Sequence, residues 1–287
     1  MPKFLVFLFL FVFLLPLSLD AQCSDAGVCA IGSKQDGESG KESRHRIALR
    51  YVYGSSGEPD DILYHTALFE GTAALFPGGR LIVQLPYVSV DGPLGSTHGI
   101  GDVTLLWDQG LWRSDDVEFR ARFGGKIATG KDNADGLPQA YQPGLGTNDL
   151  LFGLHLNANP WAVTLGYQSS AGRSDNALTR LKRGDDLLLR AGYHPHLGPL
   201  GLSFEVIAIQ RMSESSVRDP QAEENDIFIN VPDSDQLQVN LLGGASAALS
   251  PDLRLAAYAA VPLLQRDVNV DGLKRALTLS FGIEWSI

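Results

Sequence analysis

DLLFGLHLNANPWAVTLGYQSS, residues 149–170, alternates apolar and small or polar side chains on both sides of an Asn-Pro reversal. Leu150, Phe152, Leu154 and Leu156 fall on one face, with Leu151, Gly153, His155 and Asn157 on the other. After Ala158-Asn159-Pro160, the residues Trp161, Val163, Leu165 and Tyr167 resume the same period. Period two across a tight turn predicts a β-hairpin. Strands of about ten residues exceed the usual globular five or six and suit a tilted strand that crosses a bilayer.

The unit repeats. Candidate strands cover residues 46–54, 62–75, 80–87, 102–112, 116–130, 149–157, 161–170, 186–193, 200–210, 236–249, 253–261 and 273–287. The connections between them alternate short and long, the pattern of a transmembrane barrel with tight periplasmic turns and long outer loops. A soluble sandwich has no reason to sort its loops in this way. The prediction is an all-β fold: a single transmembrane antiparallel β-barrel of 12 strands. In the last strand Leu277, Leu279, Phe281, Ile283, Trp285 and Ile287 share one face. A strand that ends the chain on an apolar residue resembles the recognition strand of outer-membrane barrels, which implies the barrel-assembly machinery as a partner. Ile287 stands where an aromatic residue is more usual.

Upstream of the barrel, Lys3 and the apolar run of residues 4–19 predict a signal peptide over 1–21, with an uncleaved anchor as the alternative. Residues 22–44 are polar and without period, a flexible periplasmic leader, and 45–287 form the barrel. Cys23 and Cys29 can bridge locally in an oxidising compartment or remain two free thiols. No apolar run after Leu19 is long enough for a membrane helix, which leaves a barrel open as the way to span. A formal charge of -10 argues against a nucleic-acid partner. The location these features predict is the outer membrane of a Gram-negative bacterium, with lipid and lipopolysaccharide as surroundings. With a periplasmic N-terminus, Trp112, Trp161, Tyr193 and Trp285 fall near inner strand ends and Tyr53, Tyr87 and Tyr167 near outer ends, as two aromatic girdles would. Aromatic residues also favour strand ends in any sheet, the alternative reading.

Gly99-Ile100-Gly101-Asp102, GGKIATG at 124–130 and PGLGTNDL at 143–150 resemble the outer-membrane family linked to meta-pathway phenol degradation. That family is distantly similar to the outer-membrane long-chain fatty-acid transporters. Its middle motif carries a proline where this chain has Ala128, and residues 22–44 are too short for the transporters' folded plug. The resemblance implies a barrel for uptake of hydrophobic or aromatic compounds, with no catalytic residues and no cofactor.

Candidate lumen-lining residues follow from the alternation. Glu118, Arg120, Arg122 and Lys126 lie opposite the lipid face, as do His155, Asn157, Asp186, Arg190 and Glu205. Inward charge requires water or a partner, so these residues either line a path for ligand or brace a closed barrel. Gly99, Gly101, Gly144 and Gly146 stand where loops meet strands and predict bulges or chain folded into the mouth. Glu214, Asp219, Glu223, Glu224, Asp226, Asp233 and Asp235 make the loop of 211–235 acidic, a solvated loop or a weak cation site. No metal site is expected from the spacing of Cys23 and Cys29.

An enzyme is the remaining class. Outer-membrane phospholipases are also twelve-stranded and need a serine beside a histidine on the outer face. His65 is the best base, and neither adjacent candidate strand, 46–54 or 80–87, offers it a serine. The expected function is a channel or transporter for small, hydrophobic or aromatic solutes; the alternative is a structural or surface-interaction barrel with a closed lumen.

Overall fold

The computed structural model describes residues 45–222 and 227–287. The signal segment, the leader, Cys23 and Cys29, and the acids Glu223, Glu224 and Asp226 lie outside the described residues. Sixteen strands occur among them: β1 (Arg46–Ser55), β2 (Leu63–Phe76), β3 (Gly79–Gly92), β4 (Gly95–Ile100), β5 (Val103–Arg113), β6 (Val117–Ile127), β7 (Asn148–Ala158), β8 (Trp161–Ala171), β9 (Asp186–Tyr193), β10 (His196–Leu197), β11 (Leu200–Arg211), β12 (Ser216–Arg218), β13 (Phe228–Asn230), β14 (Leu237–Ala248), β15 (Leu253–Leu264) and β16 (Leu277–Ser286).

Twelve of these close into one antiparallel barrel. Each pairs with the next around the ring β1-β2-β3-β5-β6-β7-β8-β9-β11-β14-β15-β16, and β16 returns to β1 from Arg46↔Ser286 to Ser55↔Leu277. Closure leaves no edge with unpaired backbone groups, which the apolar phase of a bilayer demands. All twelve strands expected from the alternation are present, with their ends moved by a few residues.

The extra strands correct three expectations about loops. Residues 88–101 were expected as a loop. Instead β3 runs on to Gly92 and turns into β4, from Gly92↔Gly95 to Tyr87↔Ile100. The chain then bulges at Gly101-Asp102 and continues as β5, with Gln84↔Thr104 on the same edge of β3. One tall hairpin therefore stands above the rim. The expected polar loop of 211–235 contains the small hairpin β12–β13, and the turn after Tyr193 contains β10.

The exterior is apolar. Leu49, Phe69, Phe123, Phe152, Leu165, Leu189 and Phe281 are all exposed, with Phe281 at 55%. In water a continuous apolar surface of this extent drives aggregation; in lipid it is the matched solvent. The lipid-facing residues are those that the period assigned to that face, because alternate Cβ atoms of a strand point to opposite sides.

Candidate functional site: a layered lumen

Inward-facing side chains form layers along the barrel axis. At the end bearing the long connections, loops fold over the mouth. The 3-10 turn at Gln139–Tyr141 lies buried, and Tyr141 accepts from Thr97 Oγ1 through its carbonyl oxygen. Tyr64 and Val88 pack with Ala140 and Tyr141 in one apolar cluster. The loop of 172–185 is tied to this lid by Asn176, whose amide donates to Asp132 O and Leu137 O at 2.9 Å each.

Beneath the lid sits a network of buried charge. Lys126 Nζ lies 3.0 Å from Asp149, and Arg183 joins Asp149, Asp186 and Asp271 at 3.4, 2.7 and 3.2 Å. Arg211 holds Asp186 and Asp271 at 3.1 and 2.8 Å, and Arg266 reaches Asp186 at 3.4 Å. Asp271 and Arg266 belong to the loop 265–276, which enters the lumen from above. Burial alone would raise the Asp271 carboxyl, but the guanidiniums of Arg211, Arg183 and Arg266 outweigh it and hold it below the usual carboxylate range. A carboxylate lowered in the folded state contributes stability that is complete above its unfolded value, about 4. That stability is lost as pH falls through the folded value. Amide protection of residues 268–275 is therefore expected to be the same at pH 7 and pH 5 and to fall only below about pH 4; protection already lost at pH 5 would contradict docking of the loop through Asp271.

The next layer is aliphatic. Ile82, Leu106, Leu151, Leu188, Ile207, Ile209 and Leu242 point inward, and all are buried in one cluster with Ala260. Leu273 of the entering loop belongs to the same cluster, so the loop reaches the middle of the barrel. Sequence reasoning passed over this layer because period two assigns the inner face to polar residues. The available signal was the apolar doublet in mid-strand: Leu105-Leu106, Leu150-Leu151, Leu188-Leu189 and Leu241-Leu242.

Below it lies a second charged layer. Asp108 pairs with Arg120 at 2.8 Å and Arg122 at 3.5 Å, and Arg120 also holds Glu118 at 2.7 Å. Glu205 takes Arg190 on one oxygen and His194 on the other, the latter at 2.8 Å. Arg46 pairs with Glu284 at 3.2 Å and Arg50 with Glu70 at 3.6 Å. His155 Nδ1 meets Thr164 Oγ1 at 3.0 Å, and Asn157 is half-buried beside the Glu118 position. Of the candidate lumen residues, Glu118, Arg120, Arg122, His155, Asn157, Arg190 and Glu205 thus lie in this lower layer. Lys126 and Asp186 lie in the upper one. Gly244, Ser246, Ala256, Tyr258 and Gly282, inward on β14, β15 and β16, are only half-buried, so solvent enters the barrel from the short-turn end.

The three motif segments meet at the rim. Asp102 Oδ1 accepts from Gly130 N at 3.1 Å, and Oδ2 from Leu145 N at 2.7 Å. Thr129 Oγ1 donates to Gly101 O at 3.1 Å. A Cβ on Gly130 would stand 2.8 Å from the Gly144 Cα and 2.9 Å from the Gly101 Cα, so only glycine permits the three backbones to touch. Gly146 has φ +67°, in the left-handed region. These motifs build a knot that seats the lid.

On the outside, Trp112, Trp161 and Trp285 are exposed at the short-turn end, at 57, 61 and 59%. Tyr193 stacks near Trp161 with ring centroids 4.7 Å apart. Tyr53, Tyr87 and Tyr167 lie nearer the long-loop end. One expectation here is overturned: because β3 extends to Gly92, Ser89 lies directly opposite His65, and His98 of β4 lies opposite Ser89 on its other side. The hydroxyl of Ser89 nevertheless turns to Asp91 at 3.5 Å, and His65 Nδ1 is taken by the Tyr51 hydroxyl at 2.6 Å. A nucleophile requires its base within hydrogen-bond reach, and this pair lacks it. Among the described residues no group of three or more His, Cys, Asp or Glu is placed to hold a metal ion.

No family model matches the chain, and no curated protein matches it. Among solved structures it is similar to an outer membrane channel from Pseudomonas putida F1. The TM-score is 0.65 at 14% identity, over 89% of this chain and 99% of that one. It is also similar to the NanC porin, with a TM-score of 0.51 at 8% identity over 84% of this chain and all of that one. Closed ring, apolar exterior and these likenesses agree. The chain is an outer-membrane β-barrel. At such identities the likeness bears on the fold of the barrel, and it does not extend to the phenol-degradation family or the fatty-acid transporters.

Proposed function

We propose that this barrel is a passive channel for small solutes with a hydrophobic or aromatic body, closed at rest by the loop 265–276. One observation carries the reading. The lumen is blocked by a connecting loop that enters from above, and a loop withdraws without breaking any strand pairing. The half-buried inner wall beyond it gives a solute a place to go, and the aliphatic layer gives an apolar body a wall to rest on. In this reading the short-turn end faces the periplasm. The tryptophans there and the tyrosines at the other end sit at the two headgroup levels, against lipid and lipopolysaccharide, and β16 is the segment that the assembly machinery handles.

The dense ion pairing favours a second reading, a braced barrel that conducts nothing. Planar-bilayer recordings separate the two. The channel reading predicts discrete conductance steps and solute-dependent blockade; a silent bilayer and no solute flux into liposomes would sink it. Replacing Arg120 and Arg122 together by Gln is expected to shift the reversal potential in a salt gradient by a measurable margin. A lumen that only braces would answer with lost thermal stability alone.

A further inference from the structure

Charge in the lower lumen is matched on one wall and not on the other. On the β5–β11 side, Arg120, Arg122 and Arg190 face Asp108, Glu118 and Glu205. On the wall made by β15, β16, β1, β2 and β3, Arg46, Arg50, Arg80 and Arg254 point inward with Glu70 and Glu284 among them, and Arg80 lies opposite Asp108 of β5. Both acids are already engaged: Glu284 by Arg46, and Glu70 by Arg50 and by the Gln84 amide at 2.7 Å. Across the two walls these seven arginines outnumber the five carboxylates, in a chain whose formal charge is -10.

The leftover donors can be named. Arg46 is 7% exposed, yet its Nε and Nη2 have no hydrogen-bond partner among the described residues. Among the described residues Arg80 forms no ion pair or hydrogen bond; its Nε is buried, and Arg120, Asp108, Glu118 and Arg46 are its charged neighbours. A buried guanidinium with idle donors carries a desolvation penalty that an oxyanion removes by accepting several hydrogen bonds at once. Carboxylate suits this fork better than any neutral group. Two residues further along β3 and on the same face, Ile82 opens the aliphatic layer, about 7 Å away at 3.3 Å per residue. That span matches a single aromatic ring bearing a carboxylate.

We propose that Arg46 and Arg80 bind the carboxylate of a small organic anion whose apolar body points toward the aliphatic layer that Ile82 opens. This deepens the channel reading by naming the charge of its solute, and it rests on that reading for its purpose. The full barrel in detergent micelles tests it with three probes of one shape: benzoate, benzyl alcohol and benzylamine. Benzoate is expected to bind at least tenfold more tightly than the other two, and inorganic phosphate to compete with it. R80Q and R46Q are each expected to weaken benzoate at least tenfold, with R80K retaining most of the affinity. If R46Q fails to assemble, R80Q decides, since among the described residues Arg80 forms no ion pair or hydrogen bond whose loss would loosen the wall. Equal binding of benzoate and benzyl alcohol, binding indifferent to R80Q, or no benzoate binding would overturn the site. Benzoate binding with a silent bilayer would remove the channel and leave the site. Current without benzoate binding would remove the site and leave the channel.

Discussion

Asp271→Ala is expected to open the barrel. Asp271 is the one acid of the entering loop that both Arg183 and Arg211 hold, at 3.2 and 2.8 Å, and all three side chains are almost fully buried. Removing one member of a buried ion pair costs about 3–5 kcal/mol, mostly because the partner charges stay buried without compensation. In this protein the cost falls on the docked position of loop 265–276 and not on the strand ladder, since Asp271 belongs to no strand. At about 1.4 kcal/mol per factor of ten, the docked-to-undocked ratio falls by roughly two to three and a half orders of magnitude. Bilayer recordings are then expected to show frequent, long openings where the unaltered protein shows rare ones, while gel mobility of the folded barrel is unchanged. Asp271→Asn keeps shape and loses charge, so it should fall between the two. Open times equal to those of the unaltered protein, with the loop amides demonstrably unprotected, would show that the loop is not what closes the lumen.

Gly124→Val is expected to prevent assembly. A Cβ at Gly124 would stand 2.0 Å from the carbonyl oxygen of Leu105 and 2.8 Å from the Leu106 Cα, both backbone atoms of the neighbouring strand. No rotamer relieves that contact, so β5 and β6 have to separate where they pair Leu106↔Gly124. One broken pairing in a closed ring leaves unpaired backbone groups inside the bilayer, each costing several kcal/mol. The measurable outcome is loss of the heat-modifiable folded band on a gel after refolding into detergent. A folded band of normal intensity would mean that the two strands separate at this position without cost. Gly136, by contrast, has no atom within 4 Å of its would-be Cβ, but its φ of +63° strains any L residue; Gly136→Ala is expected to lower stability modestly without affecting assembly.

The alternation of residues 149–170 was enough to place Leu150, Phe152, Leu154 and Leu156 outward and Gly153 and His155 inward, because which face a strand residue takes depends only on its parity. Turn chemistry and loop length are likewise local, so the twelve strands and their alternating connections were legible. Where a strand ends is less local. β3 continues past Tyr87 because the returning chain of β4 pairs with it, and that pairing is what sets Ser89 opposite His65.

What closes the lumen lay beyond the reach of any pattern in the chain. Arg183 and Asp271 stand 88 positions apart, and Arg211 and Asp271 stand 60 apart. Whether they meet depends on the stagger of the barrel and on a loop that turns inward instead of outward. The same stagger leaves Arg46 and Arg80 with spare donors while Arg120 and Arg122 are matched. By itself the sequence determined a closed, lipid-facing barrel, because alternation and loop length are properties of neighbouring residues. Only the tertiary structure decided that the barrel is sealed in its upper half and positively charged on one lower wall, because both follow from strand register and loop insertion, which bring distant residues together.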